Sequence, residues 1–343
     1  MSKQNELVEL ARTGASGGGG QNVVINGEFA ISQRGTSFTN IGSGGGGTSG
    51  YDDTWTMDRF LISQGQSAGR CSVEQSSDTP DGFSKSLKIS TTTADTSIGA
   101  NEYHRLQTKF EGKNLQRFAK GTSGAKQYTL SFYCKANANA TYAVELLDTD
   151  NTRSVSKTFS VTTNWTRVIV TFPADTTGAF NNDNNLSMEL NWWMHAGSTY
   201  GGGTLQTTWG ASVAANRAAG IDSIFDSTSR TFFITGIQLQ TGDKATDFEH
   251  QSYSDELLRC QRYFYKMPIN SYGPFFCNYV STHRFSHIFF PTTMRATPTS
   301  TSVSSTASTE YYPQPTHTKY YVTAAYNGTS SVYHTSFEAD AEL

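Results

Sequence analysis

Between Thr231 and Lys266 the chain reads TFFITGIQLQTGDKATDFEHQSYSDELLRCQRYFYK, which commits it to a strand, a turn, a second extended run and a short helix in fixed order. Phe233, Ile237 and Leu239 fall on one face of a period-two pattern with Thr235 between them. Phe232, Ile234, Gln238 and Gln240 fall on the other, so the alternation predicts a strand buried mainly on one side. Thr241-Gly242-Asp243 then turns the chain. Ser254 followed by Asp255 and Glu256 predicts a capped helix start, with Leu257, Leu258 and Cys260 turned inward before Tyr263–Tyr265 resumes an extended run. The block holds no catalytic motif, so its information is architectural.

The rest of the chain has the same character. Residues 21–253 alternate short apolar runs with turn clusters: Val23–Ile25, Phe29–Ile31, Phe60–Ile62, Leu87–Ile89, Tyr128–Cys134, Tyr142–Leu147, Thr166–Phe172, Leu186–His195 and Phe232–Leu239 all read as strands. Many strands without intervening helices predict an all-β fold, a jelly-roll-like β-sandwich. Residues 254–266 form the helical connector. Residues 267–343 form a smaller C-terminal β-sandwich, in which Asn327-Gly328 signals a hairpin. Residues 1–20 pair a short amphipathic stretch, with Leu7, Val8 and Leu10 apolar, with the glycine run Gly17–Gly20. This segment reads either as an anchoring peptide on a flexible tether or as a frayed terminus.

Several functional classes are excluded at this stage. A net charge of −3 gives no concentrated basic face for nucleic acid. The stretch Met1–Arg12 lacks the apolar core of a signal peptide, and no apolar run approaches the ~18 residues of a membrane span. Cys71, Cys134, Cys260 and Cys277 show no CxxC spacing and read as small buried hydrophobes in a reducing compartment. There is no G-x-S-x-G elbow, HExxH motif or phosphate-loop ending after the glycine runs, so no catalytic residue is expected.

The segments ITGIQLQTGDKATDFEH and DELLRCQRYF, with NVVINGEFAISQRGTSF, YDDTWTMDRF, YTLSFYCKA, TNWTRVIVTFPADTTG, WWMHAGSTY, MRATPT and EADAEL, resemble bacteriophage virion appendage and tail-fibre proteins of the marine and cyanobacterial phage type, which carry a carbohydrate-binding-module-like jelly roll. Gln240 stands where that pattern usually has an acid, and Asp247 where it usually has proline. The resemblance covers the chain from about residue 22 onward. It implies a structural protein of the virion, assembled in the host cytoplasm, that forms a homotrimer and mediates attachment to host-surface glycan. Docking onto other tail or capsid proteins would fall to Leu7, Val8 and Leu10. Two alternatives remain: a capsid decoration or knob protein, and a polysaccharide depolymerase.

The strand Leu186–His195 offers the most suggestive candidate site. Leu186, Met188, Leu190, Trp192 and Met194 point to the core, which puts Ser187, Glu189, Asn191, Trp193 and His195 on the other face. Trp193 flanked by Glu189, Asn191 and His195 suits a sugar's C–H faces and hydroxyls; the competing reading puts Trp193 beneath a loop or a neighbouring chain. Tyr51, Asp52, Asp53, Trp55 and Asp58 form an acidic cluster with the chemistry for calcium but without EF-hand spacing. The alternative is a surface loop whose acids cap turns and whose Asp58 pairs with Arg59 or another cation, and no cofactor or metal site is otherwise expected. His283, His287, His317 and His334 read as surface histidines, since on a strand the first two lie some 13 Å apart. Glu145, Asp148, Glu189 and Glu249 are acids from which a hydrolase pair would have to be drawn.

Overall fold

A computed structural model describes residues 22–42, 51–268, 278–280, 283–302, 308–323 and 336–343. The anchoring segment with Leu7, Val8 and Leu10, the Asn327-Gly328 hairpin, Cys277 and His334 lie outside the described residues.

Thirteen strands build two antiparallel sheets: β1 (Ser37–Ile41), β2 (Tyr51–Trp55), β3 (Leu61–Gly65), β4 (Arg70–Ser76), β5 (Ser86–Thr93), β6 (Tyr103–Glu111), β7 (Tyr128–Ala136), β8 (Ala140–Asp148), β9 (Arg153–Val161), β10 (Thr166–Phe172), β11 (Leu186–Ala196), β12 (Gly210–Ala211) and β13 (Thr231–Thr241). One sheet has the order β1-β4-β5-β13-β7-β10 and the other β12-β9-β8-β11-β6-β3-β2. Consecutive strands repeatedly cross between the sheets, as in a jelly roll, and the fold is all-β. Side chains of both inner faces interdigitate in one core. Leu106, Phe132, Val144, Leu190, Trp192 and Ile234 are all fully buried there, with Phe132 set edge-on to Trp192 at 5.9 Å.

Strand β13 corrects a reading of the sequence. Phe232 and Ile234 join Ile237 and Leu239 in the core, although strict alternation sends the two pairs to opposite faces. A bulge between Thr235 and Gln238 inserts the extra residue that brings all four inward. Gly236 makes this possible. Its φ is +63°, and a Cβ there would lie 2.6 Å from Phe83 Cζ.

The segments Val23–Ile25 and Phe29–Ile31 are irregular chain rather than strands. Val23–Ile25 lies against β13 through single backbone bonds such as Val23 N to Leu239 O, Phe29–Ile31 lies against Phe60 and Gln75, and asparagine side chains satisfy further backbone groups. Asn22 Oδ1 accepts from Val24 N and Leu239 N, each at 3.0 Å, and Asn26 joins Ile31 and the carbonyl of Asp58. Gly27 approaches Ile237 O so closely that a Cβ would stand 2.2 Å from it. The buried backbone groups are thereby satisfied without regular pairing.

The helix is Tyr253–Gln261, and its cap is Ser252, not Ser254: the Ser252 hydroxyl accepts from Asp255 N at 3.2 Å. It buries Cys260 but also Glu256 and Gln261, while Leu258 is 42% exposed. Glu256 is drawn inward because it accepts from the Asn26 amide and from Arg259.

Beyond the helix lie β14 (Phe264–Pro268), β15 (Asn278–Val280), β16 (His283–Phe289), β17 (Thr299–Ser302), β18 (Ser308–Gln314), β19 (His317–Thr323) and β20 (Ser336–Asp340). They form two small sheets, β14-β20-β17 and β15-β16-β19-β18. Ile288, Phe290, Met294, Phe337, Ala339 and Ala341 make their shared core. The chain end then returns to the large sandwich, where Glu342 meets Arg59 and Arg34, and Lys109 Nζ donates to Leu343 O at 2.7 Å.

Candidate functional site

The face of β11 that carries Trp193 is not open. Residues 197–222, a wandering segment with helical turns at Ser198–Gly201 and Ala214–Asn216 and the short β12, fold over it. Trp193 is 1% exposed and packs with Tyr103, Ala143 and Ala218 in a second small apolar cluster. Asn191 is fully buried. Arg217, reaching down from the cover, gives Glu145 a two-point ion pair at 2.7 and 2.8 Å. Glu145 also accepts from Trp193 Nε1 at 2.9 Å and Asn191 Nδ2 at 3.1 Å. Glu189 accepts from Gln107 at 2.7 Å and faces Arg105 at 3.7 Å. The expected exposed sugar platform of Trp193, Glu189 and Asn191 is therefore corrected: these groups spend their hydrogen bonds on one another and on the cover. His195 leaves that face altogether. A bulge between Trp193 and His195 turns its ring inward, 5.3 Å from the core ring of Phe225.

The other expectations resolve in the same way, through partners distant in sequence. Asp52 accepts from Gly42 N and Thr54 Oγ1, while Asp58, only 1% exposed, accepts from the backbone and side chain of Gln33. Arg59 pairs with Glu342 rather than with Asp58. The expected acidic surface loop is instead strand β2 plus a buried turn, with Asp52 and Asp58 committed to separate partners and Asp53 exposed. Of the hydrolase candidates, Asp148 is fully buried on Lys120 and Glu249 accepts from Asn22 N. Cys71, Cys134 and Cys260 are buried in the core, and burial pushes the thiols of Cys71 and Cys134 up to about 12. His287 and His317 meet across β16 and β19 with ring centroids 5.3 Å apart.

The outer face of the six-stranded sheet is different. Glu74 pairs with Lys88, Lys88 with Phe233 and Phe233 with Lys135, a row crossing β4, β5, β13 and β7. Trp165, just before β10, closes the row: its ring lies 6.2 Å from that of Phe233, and Lys135 stands 4.9 Å from the Phe233 centroid and 5.4 Å from the Trp165 ring. Tyr133 and Phe83 continue the strip at 5.3 Å, with Arg167 5.9 Å from the Tyr133 ring. All four rings are half-buried, so edges and parts of faces meet solvent, and Ile169 beside them is 54% exposed. Asp78 fixes one end of the strip: it accepts from Trp165 Nε1 at 3.1 Å and from Lys135. The hydrogen bond from Lys135 holds its carboxyl below the usual carboxylate range, so it carries its charge at neutral pH.

This strip was legible in part. In TRVIVTF, alternation sends Val168, Val170 and Phe172 inward and leaves Arg167 and Ile169 outside with Trp165. A cleft of about 520 Å³ between the 3-10 helix Gly112–Phe118 and the Tyr253–Gln261 helix offers a second concave surface. Two of its four cations are already neutralised, Arg262 by Glu111 and Arg259 by Glu256.

No protein-family model and no curated protein matches this chain. Among solved structures, it is similar to one described as "CBM4 structure and function", at 14% identity, covering 63% of this chain and 98% of that one with a TM-score of 0.33. It is similar to the family 11 carbohydrate-binding module of the cellulosomal cellulase Lic26A-Cel5E of Clostridium thermocellum, at 10% identity over 58% of this chain and 99% of that one, TM-score 0.29. A third is TmCBM61 in complex with β-1,4-galactotriose, at 8% identity over 64% of this chain and 99% of that one, TM-score 0.31.

Proposed function

We propose that this chain is a bacteriophage virion protein, a tail fibre or related appendage, that holds host-surface glycan against the open face of its six-stranded sheet. The virion role is supported by the sequence segments that resemble such appendages. The glycan role is carried by one observation: the half-buried rings of Trp165, Phe233, Tyr133 and Phe83 lie on one sheet face, interleaved with Lys88, Lys135, Arg167 and Asp78. Sugar rings stack their C–H faces on aromatics and present hydroxyls to charged neighbours, and this strip offers both. Each stacking contact is worth about 1 kcal/mol, so one copy binds weakly. A homotrimer presented several times on a particle multiplies such contacts by avidity. Docking of the protein onto tail or capsid proteins of the particle falls to the N-terminal segment carrying Leu7, Val8 and Leu10.

The test is retention of the purified protein on host envelope polysaccharide, compared with Trp165→Ala and Phe233→Ala. Each substitution should weaken retention by roughly 3- to 10-fold per site, with an unchanged circular-dichroism spectrum. Equal retention of correctly folded variants would overturn the glycan role. Labelling of the head instead of the tail in particles would favour the decoration role.

A further inference from the structure

We propose that Asp95, Glu102 and His195 form a binding site for one divalent transition-metal cation, zinc in the first instance, at one end of the sandwich. The three side chains come from separate segments: the loop after β5, the residue before β6, and the bulged end of β11. One ligand atom from each lies within 4.8 Å of the other two, and Asp95 and His195 are buried. His195 Nε2 stands 3.2 Å from Glu102 Oε2. With metal–ligand bonds of about 2.0 Å, adjacent corners of a tetrahedral zinc site are about 3.3 Å apart, so this edge has the length such a site needs.

The surrounding groups hold the donors in place. Asp95 Oδ2 accepts from Ser67 Oγ and Ala68 N, both at 2.8 Å, which fixes the carboxyl group beside Glu102. His195 Nδ1 and Ser223 Oγ share a hydrogen bond of 2.7 Å, which fixes the ring and turns Nε2 toward the two acids. Asp95 and Glu102 share a side-chain hydrogen bond, and a bound cation would take the place of the proton between the two carboxyl groups. His104, the cross-strand partner of His195, is fully buried, and its Nε2 has no partner among the described residues. One imidazole and two carboxylates favour zinc or manganese over calcium, which collects six to eight oxygens. The Glu102 side chain, 12% exposed, marks the side from which a cation and a water ligand would enter.

The full-length protein, stripped with chelator and dialysed, should take up one zinc ion per chain in calorimetric titration, and its melting temperature should rise with zinc. Cobalt(II) should give the visible d–d spectrum of a four-coordinate N/O site in the unmutated protein, a readout that needs no variant. Glu102→Gln should weaken zinc binding by at least about 10-fold, since loss of even an outer-shell partner has that effect. His317→Ala, which removes the other close imidazole pair, should leave stoichiometric binding unchanged. The proposal is overturned if neither zinc nor manganese binds stoichiometrically, if Glu102→Gln binds as the unmutated protein does, or if His317→Ala abolishes binding.

Discussion

Removing Arg217 tests whether the cover over β11 is held by a buried ion pair. Glu145 is fully buried and accepts four hydrogen bonds, two from Arg217 and one each from Trp193 and Asn191. In Arg217→Ala the carboxylate stays buried with its cation gone, and breaking such a pair costs about 3–5 kcal/mol. The Arg217 side chain is only 14% exposed, so solvent cannot replace it cheaply. For a unit of this size each kcal/mol lowers Tm by roughly 2–4 °C, which predicts a fall of roughly 6–20 °C. Part of the loss comes from Trp193, whose ring has the guanidinium 4.9 Å from its centroid. Arg217→Lys should fall in between, keeping the charge but losing the two-point fork. Glu145→Gln combined with Arg217→Ala should lose less than the sum of the single losses by at least about 1 kcal/mol, because the amide no longer strands a charge. Urea denaturation followed by tryptophan fluorescence gives these values. A loss under about 1 kcal/mol for Arg217→Ala, or strict additivity in the cycle, would refute the reasoning.

Gly236→Ala should cost about 1–3 kcal/mol in thermal melts, since its backbone is left-handed and a Cβ would meet Phe83; Gly124→Ala, where the nearest atom is 3.7 Å away, should be near neutral. Equal effects of the two substitutions would remove the bulge from the account of β13. At Asp175, burial alone would raise the carboxyl, but hydrogen bonds from Arg153 and Lys120 outweigh it and hold it below the usual range. The folded value is depressed, so its contribution is present above the unfolded carboxylate value of about 4 and is lost as pH falls through the folded one. Asp175→Asn should flatten the acid limb of a stability-against-pH curve, and an unchanged slope would show that this carboxylate is not what acid titrates.

What could be read from the sequence and what could not divide along a physical line. Strands whose inner face is apolar and outer face polar declare themselves by alternation: Thr166–Phe172 is found where the pattern puts it, and Tyr128–Cys134 is short by two residues. Strand β6, YHRLQTKFE, escapes because both of its faces are covered, the outer one by polar groups that need partners rather than by apolar ones. Local pattern also fails where one residue is inserted, since the bulges in β11 and β13 each reassign everything downstream to the opposite face. Of the two readings of the Trp193 face, the sugar platform fails and the one that puts Trp193 beneath a loop is what the structure shows. The cover is a Gly-, Ala- and Thr-rich stretch with no strong pattern, seated by close approaches such as Gly197 against Gly99 O and by Arg217, 72 residues from Glu145.

The two outer faces of the sandwich differ in how their polar groups are partnered. The outer face of the seven-stranded sheet is closed at one end by residues 197–222. Near β2 and β6 the chain end closes it again: Lys109 Nζ donates to Leu343 O, Arg59 meets Glu342, and Arg34 reaches Asp340 at 3.1 Å while standing over the Phe264 ring. Arg262 adds a two-point pair to Glu111 at the end of β6. The charged groups Glu145, Glu111 and Arg59 on that sheet are thus held in buried ion pairs, which a ligand there would have to displace at several kcal/mol each. On the six-stranded sheet the loop between β4 and β5 reaches Lys135 and Trp165 through Asp78, but the rings of the row stay half-buried and its ion pairs are part-exposed ones that cost little to rearrange. A weak, repeated glycan contact requires a surface of that second kind, with aromatic area already presented and charges that can exchange partners without unfolding anything.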